Sequence, residues 1–424
     1  MSGGAPMPED GLRSARIGPM RTPARGVWIL PAGGSARWGD GVKTVGCVLF
    51  LLGLPATAAE WMAVGCDTKI ELRRDGMVRV EPGRDTVGFF RVARGVDRPT
   101  FHHLPLANSA YGPPSNIAIT PDQSLAVVAN SVTWEESDGR WEAVVDSRLQ
   151  LVDLRRGKPE AIGEVAAGRQ PSGLSISRDG RLLLVANWAD RTVSLFRIAE
   201  RSLQPLDTVA VEGEPTAVAF HPDGRSALVT KFNEHRVGRI TVEGGSLRHD
   251  PGQDIPVGLW PYNLKFLPDG ATAIVANTGN RGQPDGHRDT LSVLDFRGAE
   301  PRVVDTVSVG DGPEGLAVSP DGRHVAVPLL HGAAEMFRGQ WFHHEQGEVV
   351  LYAVDEGRLV ERNRVSTGAF PAGVAFNADG SRLYVANLGG DSLSVFAVEG
   401  GRLSARGSPI PLPGRPASIG SGHP

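Results

Sequence analysis

The chain has 424 residues, of which 54 are Gly and 32 are Pro, with 40% hydrophobic and 22% charged residues and a formal net charge of −4. This composition is rich in turns yet apolar enough to bury a sizeable core, and a slightly acidic chain without a dense Lys/Arg block argues against nucleic-acid binding. Two cysteines, Cys47 and Cys66, cannot form a disulfide framework, and the CxxCH signature of c-type haem attachment is absent.

Residues 1–58 are predicted to be an N-terminal extension that ends in a signal peptide. Its apolar h-region is residues 45–54, preceded by Lys43 and followed by the small residues Ala56-Thr57-Ala58. The apolar run is too short to span a bilayer, and the order basic, apolar, small is typical of secretory signals. A buried strand is the alternative. We expect cleavage before Ala59 or Glu60 and a periplasmic protein with no membrane span after processing.

The remainder, residues 59–424, consists of repeated copies of one unit. Self-similar segments recur at intervals of about 50 residues, a period typical of propeller blades. Four clear copies begin at Pro171, Pro215, Pro261 and Pro371. Two weaker copies begin at Pro114 and Pro313, and one eroded copy begins at Lys69. Seven units therefore account for this part of the chain.

Each unit predicts four short antiparallel strands, A to D. In the third copy, strand A leads to the turn Asp179-Gly180, strand B is an apolar run ending at Asn187, strand C begins near Thr192, and a polar strand D follows. Asp-Gly favours a tight hairpin, and no helical periodicity intervenes. The fold class is therefore all-β, a seven-bladed β-propeller of four-stranded antiparallel blades. Residues 414–420 repeat the start of strand A and should help to close the ring, although which terminus supplies which closing strand stays open.

The Ala-Asn ending of strand B resembles the YVTN-type propeller repeat, most closely at Tyr-Val-Ala-Asn, residues 384–387. Segments such as VVLYAVDEGRLVERNRV and LSVFAVEGGRLSARGSPIPLPGRP resemble the lactonase-type propellers related to 6-phosphogluconolactonase and to carboxymuconate-cyclising enzymes. The resemblance implies a propeller that hydrolyses a lactone, with a His at the start of an inner strand assisted by Arg and Glu at the channel mouth. No His occupies the matching positions here, which are Asn116, Gly173, Ala217, Asn263, Gly315 and Gly373.

Three insertions, residues 131–146, 278–289 and 329–347, are all predicted between strands B and C. Because successive strands are antiparallel, these insertions share one face with the connections from strand D to the next strand A. They should flank the mouth of the central channel, and loops on a rigid scaffold are where function concentrates. Polar residues that follow the connecting prolines should line that mouth, and five of them are predicted to bind ligand: Asn116, Ser172, Thr216, Tyr262 and Asn263. The alternative is that they form ordinary hydrogen bonds between blades.

Several other residues are candidates because they depart from the repeat or lie in the insertions. Glu314, His343 and Arg338 could act as acid, base and oxyanion-stabilising groups on a lactone carbonyl. Further ligand-binding candidates are Lys231, Arg281, His287 and Trp341. Loop packing and drift from the repeat consensus are the alternatives. We predict no metal site and no cofactor, because no tight ligand spacing fixes the loop histidines.

Two functions from different classes follow. The first is an exported, monomeric, non-enzymatic propeller that binds a small molecule or an envelope protein, which the missing inner-strand His favours. The alternative is a 6-phosphogluconolactonase-like carboxylic ester hydrolase that acts on a sugar or related lactone. A partner subunit of a periplasmic redox enzyme is a third reading, supported only by compartment and fold.

Overall fold

The computed structural model describes residues 59–93, 96–298 and 300–423. The signal-peptide prediction lies outside these residues. Within them, no helix is long and apolar enough to cross a membrane.

The described chain is almost entirely β-structure. Its first strands are β1 (Glu60–Asp67), β2 (Ile70–Arg73), β3 (Gly76–Arg79), β4 (Thr86–Val92), β5 (Phe101–Leu104), β6 (Ile117–Ile119), β7 (Leu125–Ala129), β8 (Val132–Ser137), β9 (Arg140–Val145), β10 (Arg148–Asp153) and β11 (Glu160–Ala166). The central strands are β12 (Pro171–Ile176), β13 (Leu182–Asn187), β14 (Thr192–Ala199), β15 (Ser202–Ala210), β16 (Pro215–Phe220), β17 (Ser226–Lys231), β18 (Arg236–Glu243), β19 (Ser246–His249), β20 (Ile255–Pro256), β21 (Pro261–Phe266), β22 (Thr272–Asn277), β23 (Thr290–Asp295) and β24 (Arg302–Ser308). The last strands are β25 (Ala317–Val318), β26 (His324–Leu329), β27 (Glu348–Asp355), β28 (Arg358–Ser366), β29 (Pro371–Phe376), β30 (Arg382–Asn387), β31 (Ser392–Glu399), β32 (Arg402–Ala405), β33 (Ile410–Pro411) and β34 (Arg415–Ser421). Three short 3-10 helices are Pro251–Gln253, Glu335–Phe337 and Leu388–Gly390.

These strands form seven antiparallel blades, as predicted. Blade 1 has the strand order β34-β1-β4-β5 and blade 2 the order β6-β7-β10-β11. Blades 3 to 7 follow as β12 to β15, β16 to β19, β21 to β24, β25 to β28 and β29 to β32, with β20 and β33 as short additions to blades 4 and 7. The ring is closed by both termini, because the C-terminal β34 is the inner strand A of blade 1 and the N-terminal β1 is its strand B.

The blades pack face to face, which explains why strand B is apolar on both sides. In β13, Leu184 and Ala186 lie in the core shared with blade 4, whereas Leu183 and Val185 lie in the core shared with blade 2. Side chains alternate between the two faces of a strand, so a strand buried between two neighbours must be apolar at every position. Strand D lies at the rim, and in β11 most residues are exposed.

The assignment of strands A and B in the eroded first copy was wrong. The segment that begins at Lys69 forms a separate hairpin, β2 with β3, between β1 and β4, and only the predicted strand C, which is β4, belongs to the blade. An alternating segment around Asp-Gly encodes a hairpin but not the sheet that the hairpin joins. The predicted role of residues 414–420 in ring closure is confirmed, since β34 pairs along β1 from Met62 with Ser421 to Asp67 with Arg415.

Candidate functional site

Insertions between strands B and C collect on one face of the ring. The three predicted insertions lie where the sequence placed them: the β8–β9 hairpin in blade 2, residues 278–289 in blade 5 and residues 330–347 in blade 6. The β2–β3 hairpin of blade 1 is a fourth insertion that sequence analysis missed. Sequential strands in each blade are antiparallel, so all four lie at the same end of the channel as the connections between blades.

Three of these insertions, residues 330–347 and the two hairpins, form a continuous apolar cover that we call the lid. One cluster joins Leu330, Phe337 and Phe342 of blade 6 to Leu72 of β2. A second cluster joins Trp134 of β8 to the β2–β3 hairpin, and the Trp134 indole N–H donates a 2.6 Å hydrogen bond to the Lys69 carbonyl. The tryptophans of the blade 2 hairpin, Trp134 and Trp141, therefore belong to a packed cluster with β2.

The lid packs onto the end of the channel where we expected the mouth, on the side of blades 6, 7 and 1. Its blade 6 cluster includes Ala417, which occupies the position after the connecting proline in blade 1. Beneath it, Tyr262 of blade 5 faces the backbone of Gly112, on the connection between blades 1 and 2. Blade 5 and this connection lie on opposite sides of a seven-membered ring, so the Tyr262 side chain spans the channel.

Four of the predicted mouth residues are almost completely buried: Asn116, Ser172, Thr216 and Asn263. The Thr216 hydroxyl donates to the Tyr262 carbonyl at 3.0 Å and so ties blade 4 to blade 5. The Asn116 amide donates to the Ala129 carbonyl at 3.1 Å within its own blade. The Thr216 contact is the kind of interblade hydrogen bond that we considered as the alternative to ligand binding, whereas the Asn116 contact lies within blade 2.

Close packing of inner strands excludes a His from two of the six matching positions. A Cβ atom on Gly315 would lie 2.2 Å from the Ala372 carbonyl oxygen, and one on Gly173 would lie 2.7 Å from the Ala217 Cα. These neighbouring atoms belong to the backbone of the next blade and cannot move aside. At these two positions the interblade packing therefore excludes any side chain.

Glu314 has the most unusual environment of the predicted catalytic residues. Its side chain lies at the lid end of the channel, where it keeps partial solvent contact although protein surrounds it. Burial raises the pKa of this carboxyl group to about 8. No ion pair or hydrogen bond of the carboxylate occurs among the described residues. The group is thus an acid or base that can change its protonation state near neutral pH.

Tyr262 is close enough to Glu314 to interact with it electrostatically. Burial raises the pKa of the Tyr262 hydroxyl well above its usual range, the Glu314 charge raises it further, and the Gly112 backbone opposes the shift. The phenol therefore stays protonated and can donate a hydrogen bond. Glu314 and Tyr262 form the candidate site.

The other predicted catalytic residues lie on the outside of the lid. Arg338 is ion-paired with Glu335 at 2.9 Å and with Glu345 at 3.9 Å. His343 is partly exposed in the same insertion. No contact between Glu314 and either His343 or Arg338 occurs among the described residues.

Trp341 and His287 meet where the insertions of blades 5 and 6 touch. Their rings are 6.2 Å apart and nearly perpendicular, and the Trp341 ring also lies against Gly286. Trp341 is nevertheless 76% exposed. The predicted adjacency of these insertions is confirmed, whereas Arg281 points to solvent elsewhere in the blade 5 insertion.

Lys231 is held in a buried ion-pair network. Its ammonium group lies 2.6 Å from one carboxylate oxygen of Asp254, and the His249 ring nitrogen lies 2.9 Å from the other. All three side chains are nearly inaccessible to solvent. Asp254 therefore balances the charge of Lys231, which was a candidate because it replaces the Asn that ends strand B.

Sequence analysis missed Lys265, which lines a cavity of about 390 Å³ within the channel. The repeat could have identified Lys265, because the equivalent position in the other six blades is Ala, Ser or Gly.

Metal binding has no comparable support, since no group of three or more His, Cys, Asp or Glu side chains in the described ranges is arranged to hold an ion.

No family model matches the chain, and no curated protein matches it. Solved structures do match. The periplasmic gluconolactonase of Pseudomonas aeruginosa has 22% identity and a TM-score of 0.61, with 85% of this chain and 98% of that chain covered. A candidate 6-phosphogluconolactonase of Bacteroides fragilis has 18% identity and a TM-score of 0.63 over 86% and 98% of the two chains. Hydrazine synthase of Kuenenia stuttgartiensis has 18% identity and a TM-score of 0.52 over 72% and 80%. These similarities show that the fold is that of the 6-phosphogluconolactonase-like propellers.

Proposed function

We propose that this protein is a lactone hydrolase in which Glu314 transfers the proton. The observation that carries the proposal is the unpaired carboxyl group at the lid end of the channel, with a pKa of about 8. A catalytic base works best when its pKa lies near the operating pH. An unpaired buried carboxyl group is costly to keep, and such shifted groups are concentrated at functional sites.

The structural neighbours support the same choice of reaction. One is a gluconolactonase and another a candidate 6-phosphogluconolactonase, and each is covered over almost its whole length. Fold similarity alone does not define chemistry, as the match to hydrazine synthase illustrates. The proposal therefore depends on Glu314, and the neighbours direct the choice of substrate.

The mechanism needs one group that both accepts and returns a proton. The Glu314 carboxylate takes a proton from water as the water oxygen attacks the lactone carbonyl. The Tyr262 hydroxyl donates a hydrogen bond to the oxyanion that forms, as an oxyanion hole does. When the ring C–O bond breaks, protonated Glu314 gives its proton to the departing alkoxide. One lactone and one water thus become one hydroxy acid, and Glu314 returns to its starting state.

Glu314→Gln should lower kcat/KM for lactone hydrolysis by about 10²–10⁴-fold, the usual contribution of a general base. In the wild type, kcat/KM should rise with pH up to about pH 8 and then level off, because the carboxylate is the active form. The measurement is pH-stat hydrolysis of sugar, acyl-homoserine and aromatic lactones between pH 6 and 9.5.

The matched control is Glu345→Gln, a carboxylate of the same type on the exposed outside of the lid. It should keep both the rate and the pH profile. Wild-type turnover no faster than buffer on every lactone, or a Glu314→Gln variant as active as the wild type, would refute the proposed reaction.

A binding function without catalysis is the second candidate, and the exposed Trp341 favours it. A tryptophan that is 76% exposed is unusual, and aromatic side chains commonly anchor partners. Envelope metabolites should then raise the melting temperature of the wild type, and Trp341→Ala and His343→Ala should abolish the shift. Leu259→Ala, which truncates another exposed apolar side chain, should leave the shift unchanged. A shift that survives both lid substitutions would refute this candidate.

We further propose that the protein is exported to the periplasm. The order of basic, apolar and small residues up to Ala58 supports this location. N-terminal sequencing of the native protein should then find Ala59 or Glu60 as the first residue.

A further inference from the structure

The central channel contains a cavity that is distinct from the Glu314 site. It has a volume of about 390 Å³, lies along the inner strands of all seven blades, and extends to the turns between strands A and B at the face opposite the lid. Its wall is partly apolar, with Phe220, Phe266 and Phe376, and partly polar, with Ser115, Ser175 and Ser319. Cavities of this size hold small organic ligands.

Lys265 is the one long side chain at its position in the repeat. The seven equivalent residues all line the cavity: Ala118, Ser175, Ala219, Lys265, Ala317, Ala375 and Gly420. The six small residues leave open space at the centre of the ring. Lys265 therefore lines this space with a long side chain that ends in an amino group.

No carboxylate balances this amino group. None of the described residues lining the cavity is Asp or Glu, and Lys265 makes no ion pair or hydrogen bond with the rest of the described chain. Burial lowers the pKa of its ammonium group. An unpaired charge in a buried, partly apolar cavity is costly, and an anionic ligand would remove that cost.

The remaining cationic or titratable groups of the cavity lie at its outer rim. The Arg178 guanidinium lies 3.5 Å from the Pro268 carbonyl. His221 and His423 contact acidic residues, with His423 2.6 Å from Glu60. Arg178 is exposed in a turn between strands A and B and has no ion pair among the described residues, so it is a second cation at the rim, and Lys265 is the cation of the inner strands.

We propose that this cavity binds a carboxylate with an apolar body, which enters from the face opposite the lid and places its carboxylate on Lys265. The Lys265 amine matches one negative charge inside the cavity. The apolar part of the wall matches a hydrocarbon body and would oppose the second charge of a phosphate. This site is separate from the proposed hydrolase and does not depend on it.

Isothermal titration calorimetry with sodium octanoate, octanamide and inorganic phosphate tests the proposal. Octanoate should bind at least about tenfold more tightly than the neutral octanamide, because a charge-assisted hydrogen bond distinguishes them. Phosphate should bind much more weakly than octanoate. Lys265→Met should lose the preference for octanoate over octanamide, whereas Lys158→Met, the same change at an exposed lysine, should keep it.

Three outcomes would overturn the assignment: equal affinities for octanoate and octanamide, an unchanged preference in Lys265→Met, or phosphate binding as tight as that of octanoate. Misfolding is not expected to confuse the result, since methionine replaces a buried charge with an apolar chain of similar length. The melting temperature of the Lys265→Met variant at pH 7 should equal or exceed that of the wild type. Glu314→Gln should still bind octanoate, so failure of the hydrolase proposal and failure of this one are distinguishable.

Discussion

Deleting residues 415–424 should abolish the cooperative unfolding transition. These residues contain β34, which supplies the inner strand of blade 1 and pairs along most of β1. Ile419 belongs to the core between blades 7 and 1, and Ala417 belongs to the lid cluster. Without β34 the ring is open and β1 is left as an unpaired inner edge of blade 1. The core between blades 7 and 1 and the lid cluster are then exposed to water.

Guanidinium chloride unfolding followed by circular dichroism would measure the effect. We expect the shortened chain to show no cooperative transition, or one at a much lower midpoint. A chain that ends at Gly422 keeps the whole of β34 and loses the His423–Glu60 contact, so its midpoint should stay close to that of the full chain. Equal midpoints for the two truncated chains would contradict ring closure by β34.

Asp254→Ala should destabilise the protein by about 3–5 kcal/mol, the usual cost of breaking a buried ion pair. The substitution leaves the Lys231 ammonium buried without a counter-charge, in a site where both side chains are 3% exposed. The double variant Lys231→Met with Asp254→Ala should recover part of this loss, because it also removes the buried cation. Chemical unfolding of the three proteins gives the comparison. A double variant less stable than Asp254→Ala would contradict the explanation.

The pH dependence of this contribution follows from the pKa of Asp254. Burial opposes ionisation of the carboxyl group, but hydrogen bonds from His249 and Lys231 and their charges outweigh it, so the pKa is lowered. The folded state therefore binds the proton less readily than the unfolded state. The stabilisation should be fully present above the unfolded pKa of about 4 and should be lost as pH falls through the lower, folded value.

The blade pattern was predictable because it depends on local chemistry. At Asp179-Gly180, the glycine adopts φ +73°, and Asp179 accepts hydrogen bonds from the Ser177 hydroxyl and the Arg181 amide. Each of these hydrogen bonds joins residues two positions apart in the chain. The hairpin is therefore encoded wherever the same short segment recurs, and five of the seven blades have Asp-Gly at this turn.

Partners far apart in the chain were not predictable in the same way. Lys231 was interpreted as a ligand-binding residue because it replaces the Asn that usually ends strand B, and its counter-charge Asp254 lies 23 positions later in the sequence. The repeat pattern does not indicate that these two positions form an ion pair. The same holds for Tyr262 and Gly112, which meet only across the closed ring.

By itself, the sequence determined the all-β repeat architecture, the number of blades, the location of three insertions between strands B and C, and Glu314 as a residue of interest. Only the tertiary structure decided that β34 completes blade 1, that three of the insertions pack into one lid, and that Glu314 is unpaired while Lys231 is not. The physical reason is that strand and turn formation depend on neighbouring residues, whereas burial, charge pairing and pKa depend on which blades the closed ring brings together.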